Sequence, residues 1–201
     1  LVAYAAIATN LYLPAIPYMI MDLGGTTSDG QLTLSVFMLG LAVGQLVFGP
    51  LSDRFGRIPV VRAGTLLFLV TSILCALANG MGFMWAMRGL QGMAAASGPV
   101  IARAIVRDRY EGNRAAQVMS TLSAAMAIIP MVAPSIGALI LQFAEWPAVF
   151  IALAVFAALV LAALSRLPET TSTSSGERLT LPLVIRSFSE MLRRQAFLGY
   201  Q

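Results

Sequence analysis

The chain has 201 residues, 58% of them hydrophobic and only 11% charged, with a mean hydropathy of +0.82. Soluble domains carry near ~25% charged residues, so this composition excludes an ordinary soluble fold. Its net charge of +4 arises from 13 basic residues, all Arg, which lie in the gaps between apolar runs and so favour membrane topology over nucleic-acid binding.

Helices are the expected element. Ala-, Leu- and Met-rich runs lack the alternation of a barrel strand, and backbone groups in lipid must be bonded within their own segment. Six apolar runs, at residues 1–20, 31–51, 60–78, 83–106, 115–141 and 146–164, are each near the ~20 residues that cross a bilayer. Short connections make neighbours antiparallel. Residues 1–7 contain no basic n-region and the apolar pattern continues past any cleavage site, so a cleavable signal is not expected. The chain begins without Met inside an apolar run and is expected to be a fragment, although a truncated, non-transporting membrane module is an alternative.

The first run carries Asn10 near mid-membrane, then Tyr12, Pro14 and Pro17. Each proline removes a backbone donor, so the outer part of this helix should break. Broken helices at midplane are where transporters place binding sites; an ordinary kink with Asn10 bonded to a neighbouring helix is the other reading. The second run ends in a short charged hairpin at the membrane surface, Gly49, Asp53, Arg54, Gly56 and Arg57, whose glycines permit a tight turn. In the third run Cys75 reads as a small buried hydrophobe with no partner for an internal disulfide.

Arg88 lies about six residues into the fourth run, near ~10 Å deep at 1.5 Å per residue. It either snorkels outward or faces the bundle and lines a polar path, with Gln91 close to the same face. The fifth run holds Pro130 and Pro134 on one face, followed by Gly137, and is expected to kink, either as architecture alone or as a hinge against another bundle. Residues 167–195 form a polar linker with a short amphipathic helix over 181–194, and 196–201 start a further apolar run. Twelve of the thirteen arginines fall on one side of this layout, which predicts that side, and both ends of the chain, to be cytoplasmic. No nucleophile–base pair, metal cluster or phosphate loop is visible, so an enzyme is not expected.

These residues together resemble the major facilitator superfamily, and within it the drug:proton antiporters of the bicyclomycin and chloramphenicol resistance (Bcr/CflA) group. Residues 49–61 look like the loop signature G-x-L-x-D-R-x-G-R-(R/K)-x-x-L, with Ile58 replacing the second basic residue and Val61 the final Leu. Arg88-Gly89-Leu90-Gln91-Gly92 is similar to R-x-x-Q-G, residues 130–137 to the fifth-helix antiporter motif, and Tyr12-Leu13-Pro14-Ala15 with Pro17 to Y-L-P-A-x-P.

The resemblance implies an all-α membrane protein of two six-helix halves, each with three-plus-three inverted repeats, of which this chain is the N-terminal half. It implies drug export from the bacterial inner membrane, driven by the proton gradient with no cofactor or metal. It further implies that Asp53 tethers the two halves, that Arg57 pairs with Asp108, that Arg88 serves the substrate and proton path with Gln91, Asn10, Tyr12 and Pro14, and that Pro130, Pro134 and Gly137 form a helix interface. One departure is Asn10, where many such exporters have Asp. With no buried acid and with Arg88 in the cavity, cargo is expected to be neutral or anionic, such as a phenicol-like amphipath. A metabolite porter of the same superfamily is the alternative transport reading.

Overall fold

The computed structural model describes residues 2–166, and these form eight α-helices and one 3₁₀ turn, with no strand among the described residues. The linker, the amphipathic helix expected over 181–194 and the run from 196 lie outside the described residues.

The helices assemble into six spans. α1 (Ala3–Asn10), a 3₁₀ turn (Leu13–Ala15) and α2 (Ile16–Asp22) make the first, and the interruption follows from Pro14 and Pro17, which cannot donate to the preceding turn. α3 (Thr27–Phe55) starts at a capping box: Thr26 N–H donates to Asp29 Oδ2 at 2.8 Å and Asp29 N–H to Thr26 Oγ1 at 3.3 Å. α4 (Arg57–Ala76) follows after one residue, Gly56. α5 (Met81–Ala95) and α6 (Ser97–Arg109) make the fourth span, divided at Ala96 where Pro99 removes the next turn's donor. α7 (Gly112–Phe143) runs unbroken through Pro130 and Pro134, and α8 (Pro147–Ser165) completes the bundle. Of these, α3, α4, α7 and α8 are individually long and apolar enough to cross a membrane.

One expected boundary shifts. The charged hairpin read at residues 49–61 is almost wholly helical: α3 continues past Pro50 to Phe55, so the turn is Gly56 alone. Gly56 has φ 93°, a conformation that a Cβ would strain, and this lets the chain reverse in one residue.

Packing ties distant spans together. Tyr4 stacks on Phe68 at 5.1 Å and meets Phe156 edge-on at 5.5 Å, joining α1 to α4 and α8. Arg62 donates to the Leu164 carbonyl through Nε at 3.2 Å and Nη2 at 2.7 Å, placing a positive charge on an end carbonyl of α8. At the opposite end the Trp146 indole donates to Asp22 Oδ2 at 2.9 Å. α3 and α5 approach so closely that a Cβ on Gly92 would overlap the Phe37 carbonyl, and one on Gly40 the Gly89 carbonyl.

Four hydroxyls share one arrangement. Thr33, Ser52, Thr65 and Ser72 each donate their single proton to a carbonyl one turn back on their own helix, at 2.6, 2.9, 2.7 and 2.6 Å respectively. Their lone pairs then accept from a long side chain of another turn or helix: Tyr12, Arg57, Tyr4 and Gln91. Hydroxyls inside apolar helices thus act as directed acceptors.

Candidate functional site: a sequestered arginine and a charged turn

Arg88 is fully buried, and so does not snorkel to the surface. Its Nη1 donates to Gln91 Oε1 at 2.7 Å and, at the limit of hydrogen-bond length, to the Ala8 carbonyl at 3.4 Å. Nε and Nη2 have no hydrogen-bond partner. Around them stand aromatic rings: the guanidinium carbon lies 4.1 Å from the Tyr12 centroid, 4.3 Å from Phe37 and 5.9 Å from Phe150. Ring faces stabilise a desolvated cation by about 2 kcal/mol or more. Rings from three different spans therefore take the place of a carboxylate, and no ion pair among the described residues involves Arg88.

Each partner is held in turn. Tyr12 is fully buried in the interruption of the first span, and its hydroxyl lies 2.5 Å from Thr33 Oγ1. Because the Thr33 proton already goes to the Gly30 carbonyl, Tyr12 is the donor. Gln91 Nε2 donates to Ser72 Oγ at 2.8 Å, and Cys75 Sγ is 4.0 Å from Gln91 Oε1.

Asn10 stands apart from this cluster. It is half-buried, and its Nδ2 donates to the Ala6 carbonyl of its own helix at 2.8 Å rather than to a neighbouring span. Pro14 is also half-buried, and its ring lies where a Cβ on Gly137 would come within 3.0 Å. That hypothetical Cβ would also overlap the Leu11 carbonyl, so α7 presses its glycine onto the interruption of the first span. Pro130 is exposed and Pro134 half-buried.

A second cluster sits at the Arg-rich end. Arg57, its side chain only 7% exposed, pairs with Asp53 one turn before it and, across to α6, with Asp108 Oδ2 at 2.9 Å from Nε. Nη1 also donates to Ser52 Oγ at 2.7 Å. One guanidinium thereby joins α3, α4 and α6 through charge-assisted bonds. Arg54 lies over the exposed ring of Phe55, 5.0 Å from its centroid. Gly49 has open space where its Cβ would be.

The sequence reading missed Phe37 and Phe150, since an aromatic inside an apolar run gives no sign of which way it faces. It also missed Thr33 and Ser72. Polarity within runs 31–51 and 60–78 was the available signal.

Comparison with known proteins matches residues 1–200 to the family model described as Major Facilitator Superfamily. An "Uncharacterized MFS-type transporter YdgK" of Bacillus subtilis is 36% identical over 95% of this chain and 48% of its own length. A bicyclomycin resistance protein homolog of Haemophilus influenzae is 32% identical over the same shares, 95% and 48%. A chloramphenicol resistance protein of Pseudomonas aeruginosa is 40% identical over 73% of this chain and 35% of its length. The chain thus spans about half the length of the curated relatives it matches, or less. Among solved structures, the human organic anion transporter MFSD10 (TETRAN) aligns with a TM-score of 0.60 at 19% identity, over 96% of this chain and 55% of that one, a likeness of fold.

Proposed function

The chain belongs to the Major Facilitator Superfamily, and on that premise we propose that it serves as the N-terminal six-helix half of a drug exporter. Small amphipathic molecules, neutral or anionic and phenicol-like, are exchanged for protons across the bacterial inner membrane by alternating access between this half and a second one. The Arg-rich end faces the cytoplasm. Drug-resistance proteins among the relatives support the substrate class.

The observation that carries the reading is Arg88 itself. A guanidinium buried with two nitrogens lacking acceptors retains hydrogen-bonding capacity that a ligand carbonyl, nitro group or carboxylate can meet when it enters. Tyr12 covers the guanidinium from the interrupted first span, the element best placed to shift as the halves rock. A cationic drug meets an uncompensated positive charge there and is disfavoured.

The test is export in cells lacking their own pumps, using the full natural polypeptide that carries this chain. Arg88→Ala is expected to abolish resistance to chloramphenicol while the protein still reaches the membrane. Retained export by Arg88→Ala would overturn the assignment, as would a strong preference of the parent for quaternary ammonium dyes over phenicols.

A further inference from the structure

Ser72 belongs to none of the motifs above, yet it is fully buried on α4 and touches the group that holds Arg88. We propose that Ser72 is a positioning residue for Arg88, acting by fixing which end of the Gln91 amide faces the guanidinium. The inference rests on Arg88 being the substrate-facing charge, and it adds a regulator of that charge on a different helix.

An amide side chain has two ends of nearly equal shape and opposite polarity. Left alone in an apolar interior, Gln91 could present either one to Arg88. Ser72 removes the choice. Its proton is committed to the Phe68 carbonyl at 2.6 Å, so toward Gln91 it offers only lone pairs, and these accept Nε2 at 2.8 Å. Oε1 is then forced to the far side, where it receives Arg88 Nη1 at 2.7 Å.

Cys75, one turn along α4, agrees with this orientation: its thiol lies 4.0 Å from Oε1 and is a weak donor, suited to an oxygen and not to an NH₂ group. Reversing the amide would set NH₂ against a buried cation and strip Arg88 of its one side-chain acceptor. Only the Ala8 carbonyl at 3.4 Å would remain. The charge would then be held by α1 and the rings alone, so the α4 hydroxyl decides how firmly Arg88 is kept back on α5.

The test reads Arg88 directly. In the full natural polypeptide carrying this chain, embedded in lipid nanodiscs and labelled with ¹⁵N-arginine, the Arg88 guanidinium lies over the Tyr12 and Phe37 rings, so its Nε–H should give a ring-current-shifted resonance, identified by its loss in Arg88→Lys. Ser72→Ala is expected to move that resonance and to raise the KM for chloramphenicol export about tenfold, as befits one lost hydrogen bond to a charged group, with a smaller change in maximal rate. Ser72→Cys under reducing conditions keeps the volume with a poor acceptor, and should shift the resonance in the same direction if the alanine variant fails to fold. In Ser72→Ala/Gln91→Glu the resonance should return toward its parent position, because both carboxylate oxygens accept. An Arg88 resonance unmoved in both the alanine and cysteine variants overturns the proposal. A resonance that moves in a protein exporting no phenicol upholds the positioning and overturns the exporter reading instead.

Discussion

A single methyl group at position 92 tests the close approach of α5 to α3. In Gly92→Ala the new Cβ would overlap the carbonyl oxygen of Phe37 and come within 3.0 Å of its Cα, so the neighbour that must yield is backbone rather than a flexible side chain. Overpacking of this kind costs about 3 kcal/mol, the upper part of its usual range. Helix propensity moves the other way, since Ala is favoured over Gly by about 1 kcal/mol in a helix interior. The net loss is therefore about 2 kcal/mol, or a fall in midpoint temperature of roughly 4–8 °C for a domain of this size. Gly49→Ala supplies the control: it lies inside α3 with nothing near its Cβ, so propensity acts alone and stability should hold or rise. Thermal unfolding in nanodiscs, followed by fluorescence of the two tryptophans, separates the variants. A Gly92→Ala protein as stable as its parent, or equal losses at both glycines, would refute the packing argument.

Three further outcomes are expected. Asp108→Ala should destabilise more than Asp53→Ala, because the Asp108 side chain is 29% exposed against 47% for Asp53 and its bond to Arg57 ties α4 to α6, whereas Asp53 lies only one turn before Arg57; chemical denaturation at low salt compares them, and a reversed order counts against the geometry. Thr33→Val removes the acceptor of the Tyr12 hydroxyl with little change of volume, and should cost about 1–3 kcal/mol as a buried donor goes unmet; an unchanged midpoint would contradict the assigned bond. Asp22→Ala should alter Trp146 emission and cost only about 1 kcal/mol, since Asp22 is exposed; unaltered emission would show that the indole is not bonded there.

The six spans were legible because apolar length is the dominant constraint in lipid. The break in the first span was legible too, through Pro14 and Pro17. The charged turn was less so: residues 49–61 read as a surface loop because charge marks the membrane boundary, whereas helical hydrogen bonding continues beyond it to Phe55. In the fourth span Pro99 marked the division at Ala96, but a background of small residues hid it. What the sequence could not convey was facing. A span is apolar both toward lipid and toward its neighbours, so no polar side tells Phe37, fully buried, from Leu39, which is 66% exposed. For the same reason the Arg88 position was visible as a depth while its cage of rings was not.

The order of that cage along the chain bears on how the protein is made. Synthesis runs from the N-terminus, so Ala8, Tyr12, Phe37 and Ser72 all leave the ribosome before Arg88, and Gln91 follows three residues later. The positive charge therefore enters the bilayer with most of its receivers already waiting in the first two spans, and the Ser72 acceptor for Gln91 in the third, instead of standing bare in hydrocarbon until later ones arrive. Phe150, on the sixth span, closes the last side.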